Sequence, residues 1–184
     1  MRSKRFLIMT AMLLGLLLLV SGCSWGRQEE QPSPPNGVEE PNGQDETAGE
    51  ETVIIGLYFA DDQAQFLQRE EREVLEADLP EAVVEELIKG SATGLGQTIP
   101  DDTELLGITI RDGIANVDLS IEFIDNHWGG SAGETMTVYS IVNSLADLED
   151  IEAVQFMVEG EIRDEILVHL YYGEPIEPSR DLVN

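Results

Sequence analysis

Leu105-Leu106-Gly107-Ile108-Thr109-Ile110-Arg111-Asp112-Gly113-Ile114-Ala115-Asn116-Val117-Asp118-Leu119 reads as a β-hairpin. Asp112-Gly113 is a two-residue turn of the kind that needs positive φ. Pairing across it sets Ile110 opposite Ala115, Ile108 opposite Val117 and Leu106 opposite Leu119. These six side chains point to one face, while Thr109 and Asn116 point to the other. Turn chemistry and hydrophobic alternation therefore choose the same register.

The flanking sequence supplies elements to cover the apolar face. Asp78 to Lys89 reads as a helix, with Asp78 as N-cap, Pro80 and Glu81 in the first turn and Gly90 as the stop. Leu79, Val83, Val84, Leu87 and Ile88 make one apolar stripe, and Glu81, Glu85 and Glu86 face away. Ser131 to about Leu148 reads as a second helix. Ser131 and Glu134 have the spacing of a capping box, and Val138, Ile141, Val142, Leu145 and Leu148 recur at helical intervals beside Tyr139. Thr52–Ala60 reads as a buried strand, Asp61-Asp62-Gln63 as a turn, and Phe66–Leu75 as the partner strand with charge on its wet face. Ser91–Asp101 is a loop rich in small residues, and Ala153–Val158 and Ile162–Leu170 are further strands. This order predicts one α+β domain over 52–184, a mostly antiparallel sheet with two helices packed on one face.

Outward from the domain the composition changes. Residues 24–51 are Gln, Glu, Pro, Gly, Asn and Ser with almost no large apolar side chain, a disordered stalk. Before it, Arg2, Lys4 and Arg5 precede an apolar run from Phe6 to Val20, and small residues end it. That is the pattern of an export signal over 1–22, removed in the mature protein. The alternative, a membrane anchor helix, needs a longer run of about 20 apolar residues. Val20-Ser21-Gly22-Cys23 resembles a bacterial lipobox, which implies acylation of Cys23 and an anchor on the extracytoplasmic face of the cell membrane. Cys23 is the only cysteine, so no intramolecular disulfide forms.

Removal of the signal leaves 7 basic against 37 acidic residues, a formal charge of −30. Such a charge argues against nucleic acid and against lying flat on anionic lipid. Candidate chemistry is sparse. Gly129-Gly130-Ser131-Ala132-Gly133 opens a helix as a phosphate cradle does, but lacks the P-loop lysine, and Asp125 and Glu134 would repel an anion. Ser131, His127 and Asp125 are the residue types of a hydrolase triad without a nucleophile elbow. His127 and His169 are too few for a zinc site without acidic help. The pairs Asp61-Asp62 and Asp101-Asp102 do not alternate as a calcium loop requires. No catalytic set, cofactor or metal site is expected. Trp128 with Gly129 and Gly130 is a candidate contact loop, since an exposed loop aromatic is a common anchor.

One resemblance runs through Leu57-Tyr58-Phe59, Pro80 through Gly90, Ile99-Pro100, Val117-Asp118-Leu119-Ser120, Glu122-Phe123, Gly130 through Glu134, Tyr139 through Leu145 and Val154 through Gly160. With these motifs in this order the domain resembles the GerMN family, the sporulation and spore-germination domain of bacterial envelope proteins. It implies a small α+β domain similar to ring-building modules, without a catalytic site, that takes part in assembling envelope complexes. The expected function is a membrane-tethered, non-enzymatic interaction module with envelope protein partners. The alternative is a lipoprotein that binds a cation or a cell-wall fragment through the glycine loop.

Overall fold

The computed structural model describes residues 51–184; the signal segment, Cys23 and the stalk up to residue 50 lie outside the described residues. The hairpin closes as its turn dictates, with φ of 51° at Asp112 and 79° at Gly113, the double left-handed conformation of a type I′ turn. β3 (Leu105–Arg111) and β4 (Ile114–Leu119) pair antiparallel, with Ile110 opposite Ala115 and Ile108 opposite Val117. The third expected pair slips. A bulge between Leu105 and Gly107 sets Leu105 opposite Leu119, and Leu106 is left 47% exposed. A bulge opposes two residues to one and re-aims the side chain between them.

β5 (Ala153–Val158) lies on the other side of β4 in parallel, Val117 beside Phe156, so the sheet order is β3-β4-β5. Parallel neighbours need a long crossover, which α2 (Glu122–Asp125) and α3 (Ser131–Leu145) provide. β1 (Thr52–Ala60) and β2 (Leu67–Leu75) form a separate two-stranded antiparallel sheet. The α+β class and largely antiparallel pairing hold, with the strands divided between two sheets.

α1 (Leu79–Lys89) packs on α3, β1, β2 and β3. Gly90 ends it with φ of 84°, its N–H returning to the Leu87 carbonyl. Asp78 occupies the N-cap position in the left-handed region and makes no side-chain cap bond. One apolar cluster joins the elements: Leu57 and Phe59 from β1, Val83 and Leu87 from α1, Val117 from β4, Ile141 and Leu145 from α3, and Phe156 from β5. Phe156 stacks on Phe123 at 6.3 Å and meets Tyr172 edge-on at 5.8 Å, geometries that aromatic quadrupoles favour.

The segment Ile162–Leu170 is not a strand. Ile166 and Leu167 are both buried in succession, which no strand facing water on one side allows. At its end the His169 and Leu170 N–H groups go instead to the buried carboxylate of Glu134. The second helix also differs from expectation: it ends at Leu145, its N-cap is Gly130, and neither Ser131 nor Glu134 makes a cap bond.

Candidate functional site

α3 is covered on nearly all sides, and its polar residues face protein rather than water. Glu134, Thr137, Ser140, Asn143 and Ser144 are all buried, and all but Thr137, which bonds the nearby His127 and Gly133, hold a segment far away in sequence. The Ser140 hydroxyl donates to the Tyr58 carbonyl at 2.6 Å, and the Tyr58 N–H donates to the Ser144 hydroxyl at 3.0 Å. These two bonds satisfy Tyr58 on the side of β1 that has no strand neighbour, where an open edge would invite unwanted pairing. Asn143 donates to the Ser179 carbonyl and accepts from its N–H, both at 3.0 Å.

Glu134, only 1% exposed, is the most densely bonded of the set. Its carboxylate accepts from the His169 N–H, the Leu170 N–H at 2.8 Å and the Tyr172 hydroxyl at 3.1 Å, and faces His169 Nδ1 at 2.9 Å. Burial, then the neighbouring carboxylate, pushes the Tyr172 phenol well above its usual range, so it stays a donor. A buried carboxylate is tolerated only when donors surround it, and here they come from an irregular segment that lacks a ladder of its own.

The Trp128 loop sits at the start of α3. Gly129 and Gly130 take φ of 74° and 84°, where any other residue would be strained. That path turns the Gly129 N–H back to His127 Nδ1 at 2.9 Å, while His127 Nε2 lies 3.0 Å from the Thr137 hydroxyl. An Nδ1 that accepts leaves the proton on Nε2, which donates to Thr137, so His127 is a neutral ring. Burial lowers its pKa and outweighs the charge of Glu134, which pulls the other way. The Trp128 indole stacks on His127 at 4.9 Å with 18° between planes. A Cβ on Gly133 would come 2.8 Å from the indole nitrogen, so only glycine admits the ring there. Trp128 is nonetheless 51% exposed.

Sequence reasoning singled out the loop but missed what faces it. Across a cavity of about 140 Å³ lie Ile166, Leu167, Val168 and His169 of the segment that Glu134 holds. Ser131 is exposed on the first turn of α3, and His127 is bonded to Gly129 and Thr137, so the triad types are not brought together. A larger open groove of about 980 Å³ runs between β2 and α1, lined by Glu73, Asp78, Glu81, Glu85 and Glu86. The loop after α1 is fixed by Glu70, which accepts from the Ser91 and Thr93 hydroxyls and from the Ala92 and Thr93 N–H groups. Arg72 reaches Glu70, Glu86 and the Gly90 carbonyl together.

A small α+β domain whose buried polar groups hold its own irregular segments, with an exposed aromatic loop at the start of α3, is the class these features define. Residues 56–164 match the family described as Germane, sporulation and spore germination, and the chain belongs to that family. Among solved structures it is similar to a candidate lipoprotein from Clostridium perfringens, with 26% identity over 68% of this chain and 87% of that one and a TM-score of 0.51. It is also similar to the tandem GerMN domains of the sporulation protein GerM from Bacillus subtilis, with 21% identity over 79% of this chain and 50% of that one and a TM-score of 0.57. The first GerMN domain of GerM alone gives 23% identity over 70% of this chain and 98% of that one, with a TM-score of 0.55. At these identities the likeness to GerM is one of fold, and this chain spans half the length of the tandem structure. No match was found among curated proteins.

Proposed function

We propose that this chain is a lipid-tethered, non-enzymatic interaction module of the bacterial cell envelope, helping to assemble a complex in sporulation or germination. The Trp128 loop is its contact element. The observation that carries the reading is the contrast at the start of α3. There His127, Thr137 and Glu134 are hydrogen-bonded into the fold, whereas Trp128 is clamped in place and still 51% exposed. A rigid exposed indole loses little entropy on binding, which is why such residues anchor interfaces. Membership of a sporulation and germination family supports the setting. The lipobox at Cys23 and the likeness to a candidate lipoprotein support the tether, and no helix among the described residues is long and apolar enough to cross a membrane. The test is complementation of a deletion strain. Trp128→Ala is expected to fail at normal protein levels and normal melting temperature, while His127→Ala retains function in proportion to the stability it keeps. Loss of function from His127→Ala or Ser131→Ala at undiminished stability and partner recovery would restore catalysis as the better reading.

The alternative, recognition of a cation or cell-wall fragment, draws its support from the acidic groove between β2 and α1. The cavity beside the glycine loop, about 140 Å³, is below the roughly 300 Å³ at which ligand sites begin. No group of three His, Cys, Asp or Glu among the described residues is placed to hold a metal ion. Calorimetric titration with calcium and with a muropeptide is expected to give no binding heat under the contact reading.

A further inference from the structure

We infer that the Trp128 loop and the Glu134-held segment form one docking face for a basic, apolar-bearing stretch of a partner protein; this rests on the interaction reading above. Two lengths of chain remote in sequence meet here across a small cavity, His127, Gly129 and Gly130 of the Trp128 loop on one side and Ile166–His169 on the other. Both are fixed. Trp128 is wedged between His127 and Gly133, and the segment is tied through the His169 and Leu170 N–H groups to Glu134. Both also leave apolar surface in water. Val168, on the cavity wall, is 89% exposed, and Trp128 of the facing loop is 51% exposed. A strained or loosely packed segment would tuck such side chains away; a segment pinned by its backbone presents them.

Charge selects the occupant. Between residues 121–134 and 161–173 the acids include Glu122, Asp125, Asp164 and Glu165, and Arg163 is the only lysine or arginine. A second copy would bring the same acids against these, and a nucleic acid or anionic lipid surface would be repelled likewise. A Lys or Arg fits the remaining open face of the indole, where the ring quadrupole attracts a cation. An apolar neighbour on the same stretch then covers Val168. Steering by the acidic rim speeds encounter, and the aromatic anchor supplies residence.

The chain has two tryptophans, so Trp25→Phe leaves Trp128 as the sole reporter. The full chain with that change, in detergent, is titrated with a synthetic peptide of alternating Lys and Leu, and a Glu and Leu peptide serves as control. A saturable change in Trp128 emission is expected with the basic peptide alone, weakening as salt is added. With labelled peptide read by anisotropy, Trp128→Ala should bind at least about tenfold more weakly. The pair Asp164→Asn with Glu165→Gln should weaken binding too, and the pair Glu81→Gln with Glu85→Gln in the β2–α1 groove should leave it unchanged. Far-ultraviolet circular dichroism confirms that each variant folds, and Trp128→Phe provides a second, milder variant. Binding to Trp128→Ala within about twofold of the parent, equal binding of the acidic peptide, or loss of binding through the groove pair would each overturn the proposal. Cross-linking in the parent cells separates the two levels. A partner held equally by the natural chain and by Trp128→Ala overturns this face and spares the interaction reading, whereas a natural chain that holds no partner overturns both.

Discussion

Glu134 illustrates how a residue's type and position suggest one role while its surroundings impose another. Three residues after Ser131 it has the position of a capping-box acid, yet the helix entry through Gly129 and Gly130 turns it inward. There it gathers donors from His169, Leu170 and Tyr172. Glu134→Ala would strand those buried donors and is expected to cost about 3 kcal/mol or more, since each unmet group costs 1–3 kcal/mol. Ser131→Ala removes no cap bond and should stay within about 0.5 kcal/mol of the parent. Urea unfolding of both variants checks the contrast, and equal losses would reinstate the cap. Glu70 gives the second test at this scale. Burial alone would push its carboxyl up, but hydrogen bonds from Ser91, Thr93, Ala92 and Arg72 outweigh burial and hold it at about 2, against an ordinary 4.5. Because the folded value is the lower one, its contribution is present above about pH 4.5 and lost as pH falls toward 2. The 2.5-unit difference corresponds to on the order of 3 kcal/mol, with little discount for a residue only 7% exposed. Unfolding free energies should therefore fall more steeply for the natural chain than for Glu70→Gln between about pH 5 and about pH 2.5.

At the scale of elements, what was legible in the sequence was what local chemistry decides. Asp112-Gly113 forces its turn, Gly90 stops α1, and the 3.6-residue repeat of Val138, Ile141, Val142 and Leu145 marks α3. The bulge at Leu106 was not legible, because alternation counts residues and a bulge hides one. Nor was the fate of 161–173, where the His169 and Leu170 N–H groups go to a side chain on another element. The polar spacing Glu134, Thr137, Ser140, Ser144 was visible and reads naturally as a wet face. Ser140 and Ser144 are buried because they bond Tyr58 on the side of β1 that has no strand neighbour, and Glu134 because it bonds His169, Leu170 and Tyr172. In the same way the exposed loop could be read from Trp128 among its glycines, but the facing Val168 could not. The hairpin can be tested by paired truncations. Val117→Ala, at a fully buried site, should cost roughly 2–3 kcal/mol, the lower part of the range for buried aliphatics. Leu106→Ala, in the bulge, should cost under about 0.5 kcal/mol. Similar losses at both positions would show that Leu106, not Leu105, faces Leu119.

For the molecule as a whole, the tether proposed at Cys23 is the part to test. Cys23→Ala should abolish lipid attachment, so that fractionation finds either released protein or a precursor that is not acylated; an unaltered, uncut membrane form would favour a signal-anchor helix. With the signal removed, as the lipobox resemblance implies, the formal charge of −30 would favour a cationic partner over a second copy. On the function proposed above, this molecule acts by contact through the face around Trp128. The most direct measurement places a photoreactive phenylalanine analogue at position 128 in living cells, and separately at Ile54, which is 67% exposed on β1. Illumination is predicted to give a discrete adduct with one envelope protein from position 128 and none from position 54. No adduct from position 128, or the same adduct from both, would contradict the claim.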